Sequence, residues 1–249
     1  MKYKFVLALL TIASFTVAKA QTVDEIIAKY FENTGGMEKW KALQGIKMSA
    51  KANQGGIEIP IVITQLKDGR QATSINFQGK DIKQGVYDGT TLWSTNFVNM
   101  KAEKSDAETT ENFKKDIGEF PDPFLTYKER GLKAELLGKE TIDGAQTFKI
   151  KLTKKPIMVD GKEAENIVYY YFDSENFVPL VIEQEIKTGQ MKGAIQQNKM
   201  SDYQDVDGLM FPFSLAQGIK DKGSQTLTIS KIELNPKVDP SIFVMPKEN

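Results

Sequence analysis

Two glutamates separated by one residue, Glu183 and Glu185, are the side chains whose type and spacing would support acid–base chemistry. Alternate residues of a strand lie on the same face of a sheet, so both carboxylates would point to one side. Paired carboxylates carry out glycoside hydrolysis, one as the acid and the other as base or nucleophile. Solvated strand faces carry such pairs routinely, and no catalytic motif surrounds these two. An envelope hydrolase is therefore the least favoured of three functional interpretations.

The chain contains no cysteine and no histidine. This excludes thiolate nucleophiles and disulfides, and it removes the commonest general base near neutral pH and the commonest metal ligand. The segment Asp205-Val206-Asp207-Gly208 matches part of a calcium loop, but Tyr203 and Ser214 stand where that loop requires ligands. We interpret the segment as a plain turn. We expect no metal, no cofactor and no catalytic residue, so the protein is predicted not to be an enzyme.

Short runs of alternating apolar and polar residues, separated by tight turns, make up most of the sequence after Ile46. Asp68-Gly69, Asp88-Gly89 and Asp143-Gly144 are typical of hairpin turns, because glycine adopts the positive φ that such turns need. Loops this short connect antiparallel strands, whereas parallel strands need crossovers of about a dozen residues or more. The pattern predicts strands near 46–53, 57–66, 70–78, 81–88, 91–96, 133–142, 146–153, 164–172, 178–186, 191–203, 213–220 and 224–234.

Helical signals occur near residue 22 and once in the middle of the chain. A capping box at 22–25 is followed by apolar residues at helical spacing, and Gly35-Gly36 provide the stop. A short second helix is predicted over Met37–Leu43. The segments Ser105–Lys115 and Phe120–Arg130 lose the strand alternation, and we predict one or two helices there.

An antiparallel sheet of this many strands cannot stay flat, because right-handed twist accumulates until the sheet curls or splits. We therefore predict a mainly β fold with helices, of the α+β class: an incomplete antiparallel β-barrel of about 11–12 strands. It would have an N-terminal helix and a central helical insert acting as a lid. The concave side would offer an apolar cavity, where an acyl chain gains about 0.8 kcal/mol for each buried CH₂ group.

Strand parity selects the side chains that should line this cavity. They are apolar residues at alternate positions of five predicted strands, with three phenylalanines from the lid. The predicted lining is Ile59, Ile61, Ile63, Phe77, Trp93, Phe148, Ile150, Tyr169 and Tyr171, and the lid residues are Phe113, Phe120 and Phe124. We expect Trp93 fluorescence to change when a ligand binds. A register shift of one residue would turn a whole strand to the other face.

The first twenty residues have the three parts of a secretory signal peptide. Lys2 and Lys4 precede the apolar run 5–17, and small residues at 18 and 20 place cleavage after Ala20. The run is shorter than the roughly 20 residues of a spanning helix. Residues 1–20 are therefore predicted to be removed.

Residues 21–249 are predicted to form a single domain with no transmembrane segment. The cleavage site has no cysteine for a lipid anchor, so we expect a soluble protein of the periplasm. The 33 Lys and Arg residues balance 33 Asp and Glu residues, and we expect no nucleic-acid partner.

Several turn and core motifs resemble proteins known as outer membrane lipoprotein-sorting proteins in the Bacteroidetes. The match covers nearly the whole mature chain and is closest in the C-terminal third. The residues that carry it are Gly35-Gly36, Trp40, the run from Asp122 to Gly131, Ser201-Asp202-Tyr203, Val206-Asp207-Gly208, Phe211-Pro212, Ile232, Asn235, Val238-Asp239, Phe243 and Pro246.

This resemblance implies the LolA-like fold of lipoprotein carriers, an incomplete antiparallel barrel closed by helices. In that fold a hydrophobic cavity holds the acyl chains of lipoproteins as they cross the periplasm. The implied function is a carrier or chaperone that takes lipid or lipoprotein acyl chains from an inner-membrane donor to an outer-membrane acceptor. The alternative is a lipid or lipoprotein sensor of the same fold. Carriers of this type control opening with an arginine, and neither Arg70 nor Arg130 aligns with it.

Overall fold

The computed structural model describes residues 21–247, so the predicted signal peptide lies outside the described residues. Within this range, thirteen strands form one antiparallel sheet and two short strands form a separate hairpin. The strands are β1 (Gly45–Gln54), β2 (Ile57–Leu66), β3 (Gln71–Phe77), β4 (Lys80–Tyr87), β5 (Leu92–Thr95), β6 (Ala102–Lys104), β7 (Lys133–Ile142), β8 (Ala145–Thr153), β9 (Ile157–Val159), β10 (Lys162–Ala164), β11 (Ile167–Asp173), β12 (Pro179–Glu185), β13 (Ile195–Val206), β14 (Leu209–Ile219) and β15 (Gly223–Leu234).

The large sheet has the order β6-β5-β4-β3-β2-β1-β15-β14-β13-β12-β11-β8-β7. Strands β1 and β15 pair with each other, and this pairing joins two meanders at the centre of the sheet. Strands β6 and β7 are the two edges of an open sheet. The predicted mainly antiparallel architecture is confirmed, and the unclosed sheet is consistent with an incomplete barrel.

Three short strands, β6, β9 and β10, have no counterpart among the predicted strands, because three residues are too few to show an alternating pattern. The long hairpin of β13 and β14 turns at Asp207 and Gly208, whose φ angles are 53° and 80°. Both strands extend up to this turn, further than the predicted 191–203 and 213–220. The segment that matched part of a calcium loop is a tight turn.

Three α-helices accompany the sheet in the described range: α1 (Val23–Asn33), α2 (Met37–Ala42) and α3 (Ala107–Asp116). The capping box of α1 is present, because the Thr22 hydroxyl accepts a hydrogen bond from the Glu25 amide (3.2 Å) and the Glu25 carboxylate accepts one from the Thr22 amide (2.8 Å). Among residues 21–247 there is no helix with the length and hydropathy needed to span a bilayer.

Only the first of the two insert segments forms an α-helix. After α3 the chain makes two short 3-10 turns, Ile117–Glu119 and Pro123–Leu125, and continues irregularly to β7. Pro121 and Pro123 disfavour the α conformation in the residue before each of them, and Phe120 and Asp122 are accordingly extended, with ψ angles of 139° and 132°.

The main hydrophobic core fills one part of the concave face. There α1, α2 and the segment 120–132 pack on β7, β8, β11 and β13–β15. The ring of Phe124 lies 4.8 Å from the ring of Tyr170 and 5.6 Å from the ring of Phe172, and Tyr30 contacts Phe172 at 5.4 Å. These aromatic contacts fill that part of the barrel. In the described residues no helix covers the part of the concave face around Ile59, Ile61 and Phe77.

A second, smaller cluster lies on the opposite face of β3–β5. It contains Ala72, Val86, Trp93 and Phe243. The indole nitrogen of Trp93 donates a hydrogen bond to the Phe243 carbonyl (3.0 Å), and the guanidinium of Arg70 lies 5.5 Å from the centre of the Phe243 ring. The C-terminal segment is thereby fastened across the outside of the sheet.

Candidate ligand-binding cavity

A cavity of about 690 Å³ lies on the uncovered concave face. Ligand sites in proteins typically occupy about 300–1,000 Å³ and are mostly apolar. Strands β1–β4, β14 and β15 supply its walls, and the loop between β5 and β6 adds one residue. The lining consists of Ala52, Gln54, Ile59, Ile61, Ile63, Thr73, Ile75, Phe77, Ile82, Phe97, Gln217, Gln225 and Leu227.

Strand register explains why these side chains meet. Ile61 is paired with Ala50 on one side and with Ile75 on the other, and Ile75 is paired with Ile82. Directly paired residues of antiparallel strands point to the same face. The central strand β1 contributes only the small side chains of Ala50 and Ala52 at this level, so the space between the isoleucines stays open.

The rim of the cavity carries exposed apolar side chains. Phe97 lines the cavity yet is 63% exposed, and its neighbour Val98 is 95% exposed. Ile57, at the tip of the β1–β2 hairpin, is 53% exposed. The amide of Val98 donates to the side-chain oxygen of Asn96 (2.8 Å), which helps to fix the loop in this position.

Four of the nine predicted lining residues lie together in this cavity: Ile59, Ile61, Ile63 and Phe77. Trp93 lies in the small cluster on the opposite face, and Phe148 and Ile150 are buried in the main core. Tyr169 and Tyr171 face the outside of the sheet, where the ammonium of Lys149 lies 5.2 and 5.3 Å from their ring centres. The intervening Tyr170 points to the concave side, because it is paired with Ile150 and Ile182.

The predicted lid residues lie outside the lining of this cavity. Phe113 packs against Tyr87, with ring centres 4.9 Å apart, and Phe124 is buried in the main core. Phe113 and Phe120 line a separate cavity of about 210 Å³ beside Gly69 and Ile117. Gly69 lies in the turn between β2 and β3. The 690 Å³ cavity extends to the opposite end of β2, so the insert covers the end of the concave face that is remote from this cavity.

Several lining residues were not predicted. Ile75 and Phe77 are separated by one residue in β3 and lie on the same face of the sheet, so the rule that selected Phe77 also selects Ile75. Ile82 and Leu227 are single apolar residues among polar neighbours, and the three glutamines have no periodic signal. Only the pairing of β1 with β15 brings Leu227 and Gln225 to β1 and β2, and that long-range pairing cannot be read from local pattern.

The two glutamates considered for hydrolysis lie on the outer face of β12. Glu183 is buried and accepts hydrogen bonds from the Tyr171 hydroxyl (2.9 Å), the Gln197 amide (2.7 Å) and the Lys220 ammonium (2.8 Å). Burial alone would raise the pKa of Glu183, but these hydrogen bonds outweigh it and hold the pKa below its usual range. A carboxylate whose pKa is lowered and whose oxygens are both engaged is poorly suited to donate a proton.

Glu185 forms an ion pair with Lys187 (2.7 Å). Within residues 21–247, no group of three or more acidic residues is placed to hold a metal ion. The lining of the large cavity contributes no side chain that is charged at neutral pH in the described part of the chain. The geometry is that of a binding site for apolar molecules.

The fold and the site therefore define a class of protein, an open antiparallel half-barrel with an apolar cavity on its concave side. By sequence, no protein family and no curated protein matches this chain. Solved structures with a similar fold include a LolA superfamily protein from Nitrosomonas europaea, with 14% identity, coverage of 90% of this chain and 98% of that chain, and a TM-score of 0.52.

Two further solved structures have a similar fold. A DUF1329 family protein from Desulfovibrio piger has 15% identity, coverage of 90% and 98%, and a TM-score of 0.52. A domain assigned to outer membrane lipoprotein sorting, from Vibrio parahaemolyticus, has 13% identity, coverage of 88% and 94%, and a TM-score of 0.51. At these identities the likeness shows the fold, which is LolA-like.

Proposed function

We propose that this protein is a periplasmic carrier that shields the acyl chains of lipids or lipoproteins in its half-barrel cavity and delivers them toward the outer membrane. The observation that supports it most directly is the isoleucine-lined cavity with an apolar, exposed rim. Each CH₂ group transferred into such a space contributes about 0.8 kcal/mol. The similar domain from Vibrio parahaemolyticus is described as belonging to an outer membrane lipoprotein-sorting protein, which supports this function.

The proposal includes the signal peptide at 1–20, a single domain over 21–249, and exchange with a donor at the inner membrane and an acceptor at the outer membrane. It assigns binding to the cavity and no catalytic role to Glu183 or Glu185. Ala substitutions at these two glutamates are expected to leave lipid binding unchanged, because both side chains lie on the outer face of the sheet.

Two measurements on the mature protein test this function. Native mass spectrometry of protein purified from its host should reveal a co-purifying lipid, and titration with N-phenylnaphthylamine, an uncharged apolar dye, should show saturable binding. Absence of both would contradict the proposal. Transfer of bound lipid to acceptor vesicles supports a carrier, whereas retention of lipid together with a stable protein partner supports a sensor of the same fold.

A further inference from the structure

Three glutamine side chains form a row across one end of the cavity. Gln217 is paired directly with Gln225 in the neighbouring strand, and Asn198 is paired with Gln217 on the other side. Gln54 lies two residues beyond the Ala52–Leu227 pair, which places it level with Gln225. Directly paired residues share a face, so the row runs from Gln54 through Gln225 to Gln217, and Asn198 lies beside it outside the lining of the cavity.

The side-chain amides of this row have no hydrogen-bond partner in the part of the chain that the structure describes. Gln54, Gln217 and Gln225 line the cavity, and their side chains make no hydrogen bond to another group in residues 21–247. All three glutamine side chains are exposed. A ligand that displaces water from them must supply hydrogen-bond donors and acceptors in its place.

No charged side chain of the described residues lines the cavity, and two lysines of the surrounding segments form ion pairs outside its lining. The ammonium of Lys220, the residue after β14, is paired with Glu183 on the outer face (2.8 Å). The ammonium of Lys83, in β4, is paired with Asp81 (3.0 Å). An anionic head group beside the row would lose its hydration without gaining a counter-charge from the cavity lining, which is unfavourable.

We infer that the row Gln54–Gln225–Gln217 binds the uncharged polar end of an acyl lipid that carries hydroxyl or amide groups. This inference rests on the proposed lipid-binding function and names the ligand class. An amide side chain offers both donors and an acceptor, so it matches a glycerol ester with a free hydroxyl. An ionised carboxylate offers acceptors only and leaves the side-chain oxygens of the glutamines without a donor.

Competition against N-phenylnaphthylamine tests the inference on residues 21–249. The competitors share one palmitoyl chain and differ in the polar end: monopalmitoylglycerol, palmitate and palmitoyl lysophosphatidylglycerol. Monopalmitoylglycerol is expected to displace the dye at about tenfold lower concentration than either anion, because a site built to hydrogen-bond a hydroxyl discriminates against ligands that lack it. Equal or better displacement by an anion would overturn the inference.

Two variants assign the preference to the row. The double substitution Gln217→Leu with Gln225→Leu should reduce the tenfold preference, measured as the ratio of competitor concentrations within the variant, to about one. Gln146→Leu removes an exposed amide at the start of β8, outside the cavity lining, and should keep the preference. Persistence of the preference in the double variant would overturn the inference, and circular dichroism checks that each variant is folded.

The dye separates this inference from the function on which it rests. If the unmodified protein does not bind the dye, the lipid-binding function fails; if it binds the dye but shows no preference among the competitors, only the amide row fails. A peptide carrying a diacylglyceryl thioether presents the same uncharged chemistry on a protein-like ligand. If this peptide displaces the dye at a lower concentration than monopalmitoylglycerol does, the ligand is a lipoprotein. If it needs a higher concentration, the ligand is a free lipid.

Discussion

Gly35 lies against the carbonyl oxygen of Gly208, so close that a Cβ atom on Gly35 would collide with it and stand 2.9 Å from Cδ2 of Leu209. Beside this contact the amide of Met210 donates to the Thr34 carbonyl (3.1 Å), and the indole nitrogen of Trp40 donates to the same carbonyl (3.1 Å). The connection between α1 and α2 is therefore fastened to the β13–β14 turn, 170 or so positions later in the chain.

Gly35→Ala should destabilise the protein more than Gly36→Ala. Both glycines have positive φ, 111° and 95°, which is strained for alanine, but a Cβ on Gly36 meets open space. We expect a cost of about 1 kcal/mol at Gly36 from backbone strain and about 2–4 kcal/mol at Gly35, where overpacking is added. Urea unfolding of both variants measures the difference, and equal midpoints would contradict the contact.

Ile61→Gln should weaken binding of an apolar dye, whereas Val62→Gln should not. Ile61 lines the cavity, and its neighbour Val62 points to the other face, where it is paired with Ser49 and Ser74. Burying an amide without a partner in the floor of the cavity should reduce affinity by about tenfold. A comparable loss in both variants would mean that binding occurs elsewhere or that the strand faces are exchanged.

Intrinsic tryptophan fluorescence should stay nearly constant when the cavity fills. The sequence contains two tryptophans. Trp40 is buried in the main core and Trp93 in the cluster on the outer face, so neither lines the cavity. Phe97→Trp adds a reporter on the rim, and its emission should shift to shorter wavelength as a ligand excludes water. A response from the unmodified protein that equals the response of the variant would contradict this placement.

The sequence shows which face of β2 lines the cavity, but it does not show which face of β11 is concave. In β2, Ile57, Ile59, Ile61 and Ile63 alternate with less apolar residues, so the cavity face can be read directly. In β11 four successive aromatic residues, 169–172, occupy both faces, and the pattern does not show which face is concave. Pairing with β8 and β12 decides it, with a register irregularity after Tyr171.

The helical insert illustrates a second limit. Its apolar side is evident from Phe113, Phe120 and Phe124, and the need to bury these rings was foreseeable. Where they are buried depends on the path of the chain after α3. Phe124 enters the main core against Tyr170, and Phe113 packs on Tyr87 near the opposite end of β4 from the cavity rim. No local signal distinguishes a lid from a plug.

Asp122→Asn should change how stability depends on pH. The carboxylate of Asp122 accepts hydrogen bonds from the Tyr30 hydroxyl (2.9 Å) and the Phe124 amide (2.8 Å). Burial outweighs these bonds and raises the pKa of Asp122 to about 6, above the value of about 3.9 in an unfolded chain. Between about pH 4 and pH 6 the folded state therefore binds a proton that the unfolded state has lost, and stability falls as pH rises through this window.

Asparagine stays uncharged, so Asp122→Asn should gain stability relative to the unmodified protein by about 1–3 kcal/mol between about pH 4 and pH 7. Urea unfolding at several pH values measures this gain. The matched control is Asp106→Asn at the N-cap of α3. Hydrogen bonds from Thr109 lower the pKa of Asp106, so Asp106 titrates below this window. The stability difference between Asp106→Asn and the unmodified protein should therefore change little with pH. A flat profile for Asp122→Asn as well would show that the carboxyl of Asp122 titrates as it does in the unfolded chain and is not desolvated against Tyr30.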